Sequence, residues 1–172
     1  MARRRHSRGL LLLLFVVAAS AIGAWLFERN GLASGSGDAA CDESLWAHVY
    51  NPERLQDAEP GRHHQCLKVT GTVTSIRRED DGDDHIRVHL DAGFERLLDQ
   101  RNIDGQHGDL VVEPVCVHEV TQSDAVQSCA AFGSKVTIPK VSDRVEVVGV
   151  WILDTQHGWM ELHPVTSIRV LA

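Results

Sequence analysis

RVEVVGVWILDTQHGWMELHPVTSIRV, residues 144–170, decides the fold. Arg144 to Leu153 is a β-branched, apolar run, and Trp159 to Val170 is a second. Asp154 to Gly158 between them is polar and ends in glycine, the composition of a tight turn joining two strands. Side chains alternate along a strand, so Trp159, Glu161 and His163 share one face and Met160 and Leu162 the other. The sequence predicts that Glu161 and His163 point outward at the rim of a small barrel, with Pro164 ending the pairing.

Working back along the chain, Cys66–Arg77 alternates, with Leu67, Val69 and Val73 opposing Lys68, Thr70, Thr72 and Thr74. That is a strand with one buried face. Gly71 within it marks a bend or a close backbone approach. The run Glu79–Asp84 (EDDGDD) carries Asp81-Gly82, a hairpin signal, and reads as a solvated turn. His85–Leu90 resumes the alternation, with His85, Arg87 and His89 as a wet basic stripe. Phe94–Leu98 reads as one helical turn. Asp109–Val120 is a third strand, and Pro114 within it suggests an edge or a bulge. Thr121–Phe132 reads as a helix with Ser123 as cap, an apolar stripe of Ala125, Val126, Cys129 and Ala130, and Gly133 as its stop.

The order is three strands, a helix and two strands. It predicts a mainly β protein, an OB-like five-stranded Greek-key barrel over residues 66–172 with a helix between its third and fourth strands, the alternatives being a split β-sandwich and an SH3-like barrel. Residues 41–65 form a short helical extension, starting at Asp42 and Glu43, carrying Leu45, Trp46 and Val49, and ending at Pro52.

Arg3, Arg4, Arg5 and Arg8 precede an apolar run of 18 residues, Leu10–Phe27, interrupted only by Ser20 and Gly23. This predicts a cytoplasmic basic stub over 1–8, one transmembrane helix over 9–27, and an exported remainder. The alternative is a signal peptide cleaved at Ala19-Ser20-Ala21, which exports the domain equally. Residues 28–40 are Gly/Ser-rich and read as a flexible tether. The net charge is −7, but residues 1–29 hold five Arg and one Glu, so the rest carries 12 basic against 23 acidic side chains. Such a domain repels phosphate backbones and is a poor partner for nucleic acid. The membrane, an envelope protein or a small ligand are the expected partners. Four cysteines in an exported domain argue for disulfides; of the three possible pairings, Cys116–Cys129 is the first choice, since it would pin a helix to the strand before it, and Cys41–Cys66 then follows.

In OB barrels the ligand lies across strands two and three, between the first hairpin loop and the loop joining strands four and five. Those loops are Glu79–Asp84 and Asp154–Gly158 here. The expected ligand-binding residues are therefore Asp81, Asp83, His85, Asp154, His157 and Trp159. His157, Glu161 and His163 place imidazole and carboxylate within seven residues, a donor set that suits a zinc-like divalent ion, with Glu113 on the neighbouring strand able to join them. The spacing matches no established zinc signature, and no catalytic nucleophile motif stands out. The function classes this leaves are a tethered binding module, a metal-dependent hydrolase, and a structural protein of the envelope.

The segments GTVTSIRREDDGDDHIRVHLD, HGDLVVEPVC and VWILDTQHGWMELHPVTSI resemble a group of uncharacterised exported or membrane-anchored bacterial and archaeal OB-fold-like proteins with an LDTxHGWxExHPV segment. The likeness covers roughly residues 45–170 and implies the barrel and its export, not an activity. The plan of anchor plus external barrel is similar to the haem chaperone of cytochrome c maturation, whose haem-binding H-x-x-x-Y motif is absent here.

Overall fold

The computed structural model describes residues 40–172. Six strands are formed: β1 (Leu55–Asp57), β2 (Cys66–Arg78), β3 (Asp84–Leu90), β4 (Leu110–Val112), β5 (Arg144–Asp154) and β6 (Trp159–Val170). β2 pairs with β3 and with β5, β3 pairs with β4, β4 runs parallel to β6, and β6 returns antiparallel to β5. Strands β2 to β6 therefore close a mixed five-stranded barrel. β1 adds to β5 alone, opposite Ile152–Asp154.

The alternation read from the sequence sets which face fills the barrel. Val69, Val73, Ile86, Val88, Leu110, Val112, Val145, Val147 and Leu162 are buried in one core cluster. Trp151 joins it and donates its indole N–H to the Leu97 carbonyl at 3.2 Å. Gly71 sits where β2 is squeezed between β3 and β5. A Cβ there would strike the His89 carbonyl and come within 2.6 Å of Val88 Cγ1, so only glycine lets the strands close.

A second layer covers part of the barrel wall. The 3-10 turns Glu43–His48 and Pro52–Arg54 and the segment after β4 pack Leu45, Val49, Val115 and Cys116 into a smaller cluster. Disulfides Cys41–Cys66 and Cys116–Cys129 form as expected, fastening this layer to β2 and to itself.

Four expectations are corrected. The extension over 41–65 is two 3-10 turns broken at Asn51, which is left-handed, followed by the short strand β1 and a turn that leads into β2. The third strand stops at Val112, because Pro114 has no N–H to give and Cys116 turns back at positive φ. Thr121–Phe132 is a chain of i→i+3 turns rather than a continuous helix. Its start is bonded to the Asp80 carbonyl, Cys129 is tied to Cys116, and Val126 of the supposed buried stripe is 52% exposed. β6 runs from Trp159 to Val170 as expected, but Pro164 does not end the pairing: His163-Pro164, a cis peptide, form a bulge opposite Val150. The Phe94–Leu98 turn is a 3-10 turn at Glu95–Leu97. Among the described residues no helix is long and apolar enough to cross a membrane, and the expected stub, span and tether lie outside those residues apart from Ala40.

One further helix, α1 (Gln100–Gly105), lies between β3 and β4. Asp99 accepts from the Asn102 N–H at 3.0 Å, and Asn102 Oδ1 accepts in return from the Asp99 N–H at 3.2 Å. This reciprocal cap starts a helix too short to be stable alone. Asn102 is fully buried and stitches α1 to β6, accepting from the Met160 N–H and donating to the Met160 and Asp109 carbonyls.

Candidate functional site

The two loops singled out in the sequence border one cleft of about 330 Å³. Glu79, Asp80 and Asp81 come from the β2–β3 loop, and Gln156, His157 and Trp159 from the β5–β6 hairpin. Between them His85 of β3 and Glu113, just past β4, reach the cleft wall. Asp83 and Asp154 do not line it; they are buried behind it, 3% and 0% exposed.

Asp154 shapes the β5–β6 turn. Its Oδ1 accepts from the backbone N–H groups of Gln156 and His157 at 2.7 and 3.1 Å, an Asx turn. Its Oδ2 lies 2.9 Å from His157 Nδ1 and 3.3 Å from Arg54 Nε. His157 stacks flat on Trp159 with ring centroids 4.6 Å apart, and His85 meets Trp159 edge-on. The exposed imidazole is thus a rigid lip rather than a loose loop side chain.

Behind the lip lies a buried network of carboxyls and imidazoles. Met160 and Leu162 face the barrel core, so alternation sends Glu161 and His163 to the outer face, as expected. They are nevertheless only 0% and 1% exposed. The wall they stand on is covered by the second layer, where the Cys116 N–H reaches across to Asp83 Oδ1 at 2.8 Å. For the same reason His85 is buried rather than part of a wet stripe, and Asp83 and Asp84 are buried rather than solvated.

His163 Nδ1 lies 3.0 Å from Glu113 Oε2 and 3.2 Å from Glu161 Oε1. Glu113 Oε1 pairs with His85 Nδ1 at 2.8 Å, and Gln106 Oε1 lies 3.2 Å from His85 Nε2. Trp159 Nε1–H donates to Glu161 Oε2 at 3.0 Å. On the far side His163 Nε2 faces Asp83 Oδ2 at 3.7 Å, beyond hydrogen-bond reach, and neither atom has another partner.

These contacts divide the charges. Burial pushes Asp83 up to about 8 in spite of the nearby His163. Burial also lifts Glu161 to about 7, and the Glu113 carboxylate adds to the rise. Burial would raise Glu113 too, but hydrogen bonds from His163 and His85 hold it well below the usual carboxylate range. Burial alone would lower both imidazoles, yet the Glu113 pair raises His85, and Glu113 with Glu161 raises His163 well above its ordinary value. The outcome is one carboxylate held between two imidazoles whose protonated forms it favours, with two carboxyls beside it that burial pushes toward their protonated forms.

The donor set expected for a metal is rearranged. The ligand atoms that lie within 4.8 Å of one another belong to Glu113, Glu161 and His163. His157, expected among them, instead points to Asp154 at the cleft mouth. Asn102, Gln106 and Arg54 were not singled out from the sequence. The Asp99-x-x-Asn102 cap was a visible signal for the first, whereas nothing local marks the other two. No protein-family model matches the chain, and the search of curated proteins gave no match.

Proposed function

We propose that this chain is a membrane-tethered, extracytoplasmic OB-like module that binds a small polar ligand in the cleft between the Glu79–Asp84 and Asp154–Trp159 loops. The observation that carries this reading is the convergence of the two loops on one cleft, beside His85 of β3 and Glu113 beyond β4. The barrel circuit, with β4 parallel to β6 and β6 beside β5, supports the OB-like description. Two disulfides fit an oxidising compartment, which agrees with export by the N-terminal apolar run. The cleft's size is at the small end of the range for small-molecule sites. Its wall offers cations (Arg54, Arg77), carboxylates (Glu79, Asp81) and an aromatic ring, Trp159. That mixture suits a ligand with several hydroxyl or zwitterionic groups rather than an apolar or polyanionic one.

The test is ligand-observed NMR of a polar fragment set, sugars and amino acids included, against the full chain. Fragments that bind the wild type should lose binding in the double variant Arg77→Ala, His157→Ala, whose side chains are exposed at the cleft mouth. Equal binding to both proteins defeats the assignment of the cleft. A C-terminal alkaline phosphatase fusion tests the topology: it should be active in cells, and an inactive, cytoplasmic fusion overturns export.

A further inference from the structure

We propose that Glu113, Glu161 and His163 form a binding site for one divalent transition-metal ion at the floor of the cleft. The site stands apart from what the cleft binds. Only the direction of the ion's open positions, toward the cleft that Glu113 lines, rests on that reading.

The first argument is spacing. Ligand atoms held about 2.0–2.2 Å from one ion at 90–109° stand roughly 3.0–3.5 Å apart. His163 Nδ1 is 3.0 and 3.2 Å from the two carboxylate oxygens. One donor atom from each of the three residues lies within 4.8 Å of the other two, close enough for a single ion to draw them together. Second, each ligand already has a buried partner on its other atom. Glu113 Oε1 has His85 and Glu161 Oε2 has Trp159, the outer-shell arrangement that fixes ligands around a metal.

The third argument comes from the two orphaned atoms. With a proton on Nδ1 shared between the carboxylates, His163 Nε2 and Asp83 Oδ2 face each other at 3.7 Å without bonding. With a metal on Nδ1, the ring keeps a single N–H, on Nε2, aimed at Asp83. A shift of the ring that closes the 3.7 Å gap would complete the carboxylate–histidine–metal arrangement, with Asp83 as the outer partner. Two carboxylates also balance the charge of a divalent ion in a place where burial makes unbalanced charge costly. Imidazole with carboxylates suits zinc, manganese or iron(II) and disfavours copper(I).

Two other groupings compete. Asp83 with Cys116 and Cys129 offers no thiolate, because both sulfurs are in a disulfide. Asp57, His63 and His64 lie at the surface and serve as the internal control.

The experiment strips the full chain with EDTA, desalts it, and titrates it with Co2+, Zn2+ and Mn2+. Metal content after desalting and the visible absorption of bound Co2+ are the readouts. One ion per chain should be retained. Glu161→Gln and His163→Asn should each weaken binding by more than the roughly 10–100-fold expected for Asp83→Asn, which removes only an outer partner. His63→Ala with His64→Ala, and His157→Ala, should leave the stoichiometry unchanged. Far-UV circular dichroism confirms folding; if a ligand variant fails to fold, the wild-type Co2+ spectrum and Asp83→Asn decide. No retained ion in the wild type overturns the proposal. So does binding that survives in folded Glu161→Gln and His163→Asn, or that disappears with His63 and His64. Loss of fragment binding in His157→Ala with the ion retained separates the cleft from the metal site.

Discussion

Replacing Glu113 by glutamine tests the buried network at its centre. Glu113 accepts from His85 at 2.8 Å and from His163 at 3.0 Å, one imidazole on each oxygen. A glutamine keeps the shape but loses the charge, and its NH2 group must face one of two N–H donors. Removing one partner of a buried ion pair costs about 3–5 kcal/mol, because the remaining charge is left uncompensated. For a domain of this size that is a fall of roughly 10–15 °C in melting temperature. The deficit should depend on pH in a defined direction. Glu113 raises the folded-state values of both imidazoles, so their stabilisation is fully present below the unfolded value of about 6.5 and is lost as pH climbs through the raised values. The gap between wild type and Glu113→Gln should therefore be widest near pH 6 and narrow toward pH 9. The assay is thermal unfolding by circular dichroism in EDTA at pH 6, 7.5 and 9. A variant that melts within about 3 °C of wild type at pH 6, or a gap that does not change with pH, refutes the clamp of one carboxylate between two imidazoles.

The metal-free wild type should itself lose stability between pH 5 and 9. Asp83 and Glu161 have folded-state values raised to about 8 and 7, so the folded state binds more protons than the unfolded one across that window; urea midpoints that rise with pH would contradict this. Gly71→Ala should cost about 3 kcal/mol, since the obstacle is the His89 backbone carbonyl rather than a side chain that can move; a change below about 1 kcal/mol in denaturant melts would show that β2 is not squeezed there. Asn102→Ala should destabilise by about 2–4 kcal/mol, because it leaves the Met160 N–H and two carbonyls without their partner, and amide exchange at Met160 should speed up.

The barrel was legible because its strands carry period-two alternation and its loops carry Asp81-Gly82 and Asp154–Gly158, signals that act over a few residues. Both loops of the cleft were found the same way. What alternation cannot give is exposure. It sent Glu161 and His163 to the outer face correctly, but their burial depends on residues 41–54 and 115–132 folding over that face, a contact with no local mark. Asp83 and His85 were misjudged for the same reason. Thr121–Phe132 looked helical because apolar residues fell at helical spacing, while the Cys116–Cys129 link and the bonds to Asp80 impose turns. α1 was hidden by its polarity: in QRNIDG the anchoring residue is Asn102 and the large apolar one, Ile103, is 54% exposed. β1 is three residues long, too short for periodicity to register.

The parallel pairing of β4 with β6 has a bearing on when the site comes into being. Glu113 follows one side of this seam, and Glu161 and His163 stand on the other. Two bonds lock it there, from the Glu113 N–H to the Leu162 carbonyl at 3.0 Å and from the Val165 N–H to the Glu113 carbonyl at 3.1 Å. Joining positions some fifty residues apart carries a ring-closure entropy of about 3–4 kcal/mol in a free chain, a cost that the pairings running from β4 through β3, β2 and β5 to β6 reduce before the seam closes. The network cannot assemble while this seam is open, and its burial also needs residues 41–54 and 115–132 folded over the closed wall. Whatever grips both banks of the seam, a shared proton or an ion, acts as a latch on the closed ring.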